Sequence, residues 1–233
     1  MTRLNWDAVG ERFYEAGVDR GVLYLNGIGY AWPGLISVAE SSSGGEAKPH
    51  YVDGYKYANV AVAEEFQATI SAFSSPPEFA VCDGLGLVHT GLIATQQRRR
   101  PFSFSYRTLI GNDLEGIDHG YKIHLVYNAL AAPSSRTNST IGESAAPGTL
   151  SWAITTLAPR VLGIRPTAHF IIDSRTTDPA TLVAVEDILY GSDELTPSIP
   201  TVTELMTLFG ETVMEGGFAE LSEFDTILDG GGP

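Results

Sequence analysis

The sequence predicts a mainly β chain with a helix near its start and short helices near its end. Three observations carry this. Residues 101–131 alternate apolar and polar side chains at a period of two, residues 21–60 are rich in Val, Ile and Tyr and broken by Gly, and helical spacing with end caps takes over after residue 175.

Taken in order, NWDAVGERFYEAG (5–17) places Trp6, Val9, Phe13 and Ala16 three and four residues apart, with Asn5 as cap and Gly17 as stop, which predicts a short helix. GVLYL (21–25), PGLISVA (33–39) and HYVDGYKYANV (50–60) read as strands, the last folded on itself by the Asp53-Gly54 turn signal. The run 59–73 alternates Val60, Val62, Glu64, Phe66, Ala68 and Ile70 against Ala61, Ala63, Glu65, Gln67, Thr69 and Ser71, predicting one long strand rather than a helix, although AVAEEF (61–66) alone is also compatible with a helix. Ser75-Pro76-Pro77-Glu78 has the parts of a capping box, so a helix of one or two turns is expected before Asp83-Gly84, with Cys82 buried in it. In PFSFSYRTLI (101–110) and GYKIHLVYNALA (120–131), Phe102, Phe104, Tyr106 and Thr108 form one face, and Tyr121, Ile123, Leu125, Tyr127 and Ala129 another, so the pair predicts an antiparallel hairpin. Residues 132–148 are too polar and too broken by Pro and Gly for a core element and predict a loop or arm. TLSWAITTL (149–157) and RPTAHFIID (165–173) read as strands. Asp178-Pro179 to Gly191 predicts a capped helix, and Thr201 with Glu204 a capping box for a second ending at Gly210. The expected organisation is a β domain over 1–174, a helical appendage over 175–212 and an acidic, Gly-rich flexible tail over 213–233.

Composition narrows the function. The chain has 233 residues and a formal charge of -14, which argues against a surface that wraps nucleic acid. Residues 163–233 carry 13 acidic and 2 basic residues, so most of the excess is C-terminal. At 43% hydrophobic and 18% charged residues the chain can bury a sizeable core. A single Cys leaves no internal disulfide, no apolar run nears the ~20 residues of a membrane span, and MTRLNWDAVGERF lacks the apolar stretch and cleavage site of an export signal. No nucleophile elbow, phosphate loop or redox pair is present, and the GIG (27–29) and GLG (84–86) strings read as turns, so neither a catalytic site nor a cofactor is expected. Asp113, Glu115, Asp118, His119 and His124 are the nearest approach to a metal cluster. They read as the tip of a hairpin plus a strand histidine, while His50, His89 and His169 lie singly, so no metal is expected.

The strings ERFYEAGVDRGVLYL (11–25), YVDGYKYANVAVAEEFQATISAF (51–73), PPEFAVCDG (76–84), FSFSYRTLIGNDLEGIDHGYKIHLVYNALAAPS (102–134) and AHFIIDSRTTDPATLVAVEDILYG (168–191) together resemble the major tail tube proteins of long, non-contractile-tailed (siphovirus-type) bacteriophages, particularly those infecting actinobacteria. The resemblance implies a β-sandwich or partly closed barrel with a flanking α-helix, similar to the type VI secretion tube and the inner tubes of contractile tails. It implies six copies in a ring, rings stacked into a virion tail tube, and a conduit for genome ejection. Implied partners are further copies of the chain, tape measure, tail terminator and distal tail proteins, and double-stranded DNA in transient, non-specific passage, with no membrane and with assembly in the host cytoplasm.

Under that reading, Glu64, Gln67, Thr69, Ser103, Ser105, Lys122, His124 and Asn128 are candidate lumen-facing residues, because DNA must slide past a wall that does not hold phosphate. Arg98, Arg99 and Arg100, with Glu40, Glu46 and Arg136, are candidate contacts between copies, and the acidic C-terminal region either packs outside the tube or meets the three arginines. The alternative function is a β-sandwich tail or capsid decoration module that binds a host surface glycan or protein. Exposed aromatics concentrated in loops would favour it, whereas here Tyr and Phe fall mainly within alternating strands.

Overall fold

The computed structural model describes residues 4, 6–134, 136, 138, 140, 148–161 and 164–210, and the expected tail of 213–233 lies outside them. The strands are β1 (Tyr14–Leu25), β2 (Ile28–Ala31), β3 (Leu35–Ser43), β4 (Ala47–Val52), β5 (Tyr55–Ala61), β6 (Glu65–Ala72), β7 (Gly86–His89), β8 (Leu92–Ala94), β9 (Phe102–Asn112), β10 (Gly116–Ala131), β11 (Leu150–Thr156) and β12 (His169–Asp173). Two helices follow, α1 (Pro179–Tyr190) and α2 (Val202–Phe209). Eight strands form one antiparallel sheet in the order β2-β1-β9-β10-β11-β6-β3, with β12 also on β10, and the sheet does not close into a barrel. The chain is therefore mainly β with flanking helices, as the alternation predicts.

The β9–β10 hairpin is the centre of the sheet, and β10 is where it divides. Lys122–Val126 pair with β12, while Ala129–Ala131, on the same edge, pair with β11. Between them the register shifts at Asn128, which holds a left-handed φ of +49°. The bulge reverses the faces. Tyr121, Ile123, Leu125 and Tyr127 point to the helices, but Ala129 joins Val126 and Ala131 in the opposite core, whereas unbroken alternation put Ala129 with Tyr127.

Each face therefore has its own core. On one side Leu23, Trp32, Ile70, Phe79, Phe104 and Trp152 are buried together, with the Trp32 ring 4.7 Å from Phe79 and 5.6 Å from Trp152. On the other, Val22, Tyr24, Ile123 and Leu125 pack against Val185 and Leu189 of α1 and Val202 and Leu205 of α2. The hydroxyl of Tyr24 donates to Leu189 O at 3.0 Å and that of Tyr127 to Pro200 O at 3.0 Å, so the helices are tied to the sheet by polar as well as apolar contacts. Residues 179–209 thus cover a sheet face and share its core. Both helices begin as their caps predict. The Asp178 carboxylate accepts from the backbone of Ala180 and Thr181, and Thr201 and Glu204 exchange both bonds of a capping box.

Three local expectations give way. Among the described residues no helix forms near the start. Tyr14, Glu15 and Ala16 instead pair with Gly111, Ile110 and Leu109, while Trp6 and Val9, each 72% exposed, have no core to face. Asp7 and Gly10 hold positive φ, incompatible with a continuous helix through them. The run 59–73 is two strands, because Gly44 and Gly45, both at positive φ, turn the chain away and Gly45 N–H bonds Val62 O between β5 and β6. Residues Pro77–Val81 make a 3-10 turn capped by no side chain, with Cys82 N–H on Phe79 O at 2.8 Å; Ser75 makes no cap because Pro76 holds that position. Cys82 is fully buried, and burial pushes its thiol up to about 11. Among the described residues no helix is long and apolar enough to cross a membrane.

Candidate assembly surfaces and a buried histidine pair

Two hairpins stand outside the main sheet. Strands β4 and β5 pair only with each other, through a two-residue turn in which Asp53 (φ +50°) and Gly54 (φ +82°) both adopt left-handed backbone, as the Asp-Gly signal predicts. Strands β7 and β8 form the second hairpin, turning at Thr90-Gly91. A lone two-stranded hairpin is at best marginally stable in water. Both nevertheless expose large apolar side chains: Tyr55 and Tyr57 are 81% and 80% exposed and Leu87 75%, with Tyr51, Val60, Val88, Leu92 and Ile93 more than half exposed. The short β7–β8 hairpin escaped the sequence reading, although Thr90-Gly91 between apolar residues is its signal.

Three of the six candidate inter-copy residues, Arg99, Arg136 and Glu40, are engaged within the chain. Asp83, buried beside the 3-10 turn, receives Arg99 at 3.3 Å and pairs with Arg136, and Arg99 also donates to Ala131 O and Ala132 O. Glu40 accepts from Tyr106 Oη at 2.6 Å. Arg98, Arg100 and Glu46 are exposed. Replacing Arg99 with Ser is expected to cost about 1–3 kcal/mol, because Asp83 and two carbonyls lose a donor in a largely dry setting. Arg98→Ser and Arg100→Ser should stay within about 0.5 kcal/mol of the parent. Urea unfolding of the three variants checks this, and equal losses at all three positions would contradict it.

The candidate lumen residues do not share a surface. Glu64 and Asn128 are exposed, and Gln67, Thr69, Ser103 and Lys122 half-buried, with Lys122 paired to Glu15. Gln67 and Thr69 on β6 and Ser103 on β9 face away from the core that holds Ala68, Ile70, Phe102 and Phe104, whereas Lys122 and His124 on β10 share the face of Val126, which belongs to that core. Two of the eight line no surface at all. Ser105 is fully buried under α1, its Oγ 3.0 Å from Tyr24 Oη, and His124 is 3% exposed. Alternation marked both as polar-facing, but the helices and the aromatic core cover the two sides of the hairpin there.

The hairpin-tip cluster behaves as turn chemistry. Asn112 Oδ1 accepts from Leu114 and Glu115 N–H, Glu115 meets His119 at 2.6 Å, and Asp113 accepts from Gly10 N–H at 3.0 Å. His124 instead lies next to His169, its Nδ1 3.1 Å from His169 Nε2 and 3.3 Å from Glu40 Oε1. Thr108 Oγ1 stands 3.0 Å from His124 Nε2. The ring of Tyr106 stacks on His124 with centroids 4.5 Å apart, and Phe66 packs on His169 at 4.2 Å. Burial pushes His124 down to about 4 and lowers His169 too, so both imidazoles are neutral at pH 7. Burial and the neighbouring Glu40 carboxylate together hold the Tyr106 phenol well above its usual range. In the sequence His169 is one of several isolated histidines; only the pairing of Val126 with His169 across β10 and β12 brings it to His124.

No family model and no curated protein matches the chain. Among solved structures, a chain of the cryo-EM structure of the anti-feeding prophage (AFP) baseplate, 6-fold symmetrised, is similar at 12% identity and a TM-score of 0.36, over 72% of this chain and 97% of that one.

Proposed function

We propose that this chain is a structural subunit of a bacteriophage tail that assembles with copies of itself into rings, stacked as a tube through which the genome leaves. The observation that carries the reading is the pair of hairpins outside the sheet, whose tyrosines and aliphatic residues stand in water on a single copy. Apolar area presented in this way is the mark of a surface made to be covered. A hairpin that is marginal alone gains stability by docking on a neighbour, which makes its folding and the assembly one event. The resemblance of 11–25, 51–73, 76–84, 102–134 and 168–191 to tail tube proteins supports this assembly and its hexameric form. Under it, tape measure, terminator and distal tail proteins meet the ends of the stack, and the subunit performs no chemistry.

One observation favours a second reading, a decoration module that binds a host surface. Tyr51, Tyr55 and Tyr57 are exposed on one hairpin, and aromatic faces of this kind also take up sugars. Sedimentation velocity over a hundredfold range of concentration separates the two. Growth from monomer to rings and larger species supports the tail subunit. A monomer at every concentration that pulls down with host cell-wall glycan installs the second reading.

A further inference from the structure

We propose that His124, His169 and Glu40 form a binding site for one divalent transition-metal ion of the zinc class. The three donor atoms, one from each side chain, lie within 4.8 Å of one another. His124 Nδ1 is 3.1 Å from His169 Nε2 and 3.3 Å from Glu40 Oε1. Ligand atoms on a tetrahedral zinc with bonds of 2.0–2.2 Å stand about 3.3–3.6 Å apart, and the two distances from His124 come within a few tenths of an ångström of that spacing. Two imidazoles and a carboxylate form a mixed nitrogen and oxygen donor set that suits zinc, cobalt or nickel and disfavours magnesium and calcium.

The surroundings are those of a supported ligand set. The hydroxyl of Thr108 engages His124 Nε2, the nitrogen turned away from the site, and with the proton held there Nδ1 faces the site as a lone pair. Tyr106 donates to the Glu40 carboxylate. The Tyr106 and Phe66 rings clamp the two imidazoles, fixing their planes. Without an ion, His124 Nδ1 has at most one proton to share between His169 Nε2 and Glu40 Oε1, both within contact range. A cation among the three satisfies them together. Glu40, whose side chain is 38% exposed, leaves a path for entry and a fourth position for water. The site joins β3, at one end of the sheet order, to β10 and β12 at its centre, so an ion there would staple the two halves of the fold. This inference is independent of the assembly reading.

The full-length chain, stripped with a chelator and dialysed, is titrated with Zn2+ by calorimetry and with Co2+ by visible absorption. The expected result is one equivalent per chain, the d–d spectrum of a tetrahedral cobalt site and a higher melting temperature in Zn2+. Glu40→Gln changes a partly exposed residue and keeps the fold, which far-UV circular dichroism verifies. It should weaken Zn2+ at least tenfold and remove most of the melting shift, and His169→Gln should do the same. Titration without a saturable equivalent, or binding unchanged in both variants, overturns the proposal and assigns any zinc uptake to exposed residues such as His50 and His89.

Discussion

Tyr55→Ser combined with Tyr57→Ser is expected to abolish ring and tube formation while leaving the single copy folded. Both residues are about four-fifths exposed on β5, so in the free chain their loss removes almost no packing, and its stability should change by only about 0.5 kcal/mol per site. In an assembly the same side chains become buried aromatic anchors. Anchors of that type each contribute about 2 kcal/mol or more, so the pair should raise the concentration needed for assembly roughly a thousandfold. Light scattering against concentration, beside thermal melts of the same samples, reads both quantities. A variant that assembles at the parent's concentration would remove the β4–β5 hairpin from the interface.

Trp152→Ala should have the opposite signature, a large loss of stability at the level of the single copy. Trp152 on β11 has no exposed surface, and its ring meets Trp32 at 5.6 Å and Phe79 at 5.1 Å. Truncating a buried aromatic of this size removes its transfer energy and leaves a cavity under rigid strands, a cost of about 3–5 kcal/mol. Among the described residues its Nε1 has no hydrogen-bond partner, so Trp152→Phe orphans no acceptor and should cost only about 1–1.5 kcal/mol. Urea midpoints for the two variants test the contrast. A loss below about 1 kcal/mol for Trp152→Ala would contradict the placement of this ring at the centre of the core.

What the sequence reveals and what it hides divides along the line between local and non-local geometry. Asp53-Gly54, Asp178-Pro179 with Gly191, and Thr201 with Glu204 act on backbone within a few residues, and each occurs where its pattern places it. Alternation in 102–110 likewise matches β9, whose Phe102, Phe104 and Tyr106 are buried on one face. Alternation does not say which partner a strand takes. That is why 59–73 reads as one strand, although Val60 belongs to a free hairpin and Ile70 to the main sheet. It also carries no mark of a bulge, so it assigns Ala129 to the face opposite to the one this residue occupies beyond Asn128. The N-terminal period of Trp6, Val9 and Phe13 is compatible with a helix, but the ladder between β1 and β9 captures the chain from Tyr14 onward. The histidine cluster is the extreme case. Glu40, His124 and His169 lie on three strands, and only the register of β10 against β12 and the return of β3 over Tyr106 make them neighbours.

The same division explains the candidate site residues. Polar positions on alternating strands identify a face that is not the first core, but a second core under α1 and α2 covers Ser105, and an aromatic stack encloses His124. Charged residues in a loop signal partners without naming them, and Arg99 and Arg136 find theirs in Asp83 of the same chain. Under the proposed assembly, the surfaces that would meet other copies are those with exposed apolar area, chiefly β4–β5 and β7–β8.

The central claim, that this chain builds a hollow tail assembly, is tested most directly by negative-stain electron microscopy of the purified protein over a range of concentrations and in the presence of tail extract. The expected result is rings with a central channel that lengthen into tubes as concentration rises or as extract supplies an initiator. Monodisperse single copies under every condition, extract included, would contradict it.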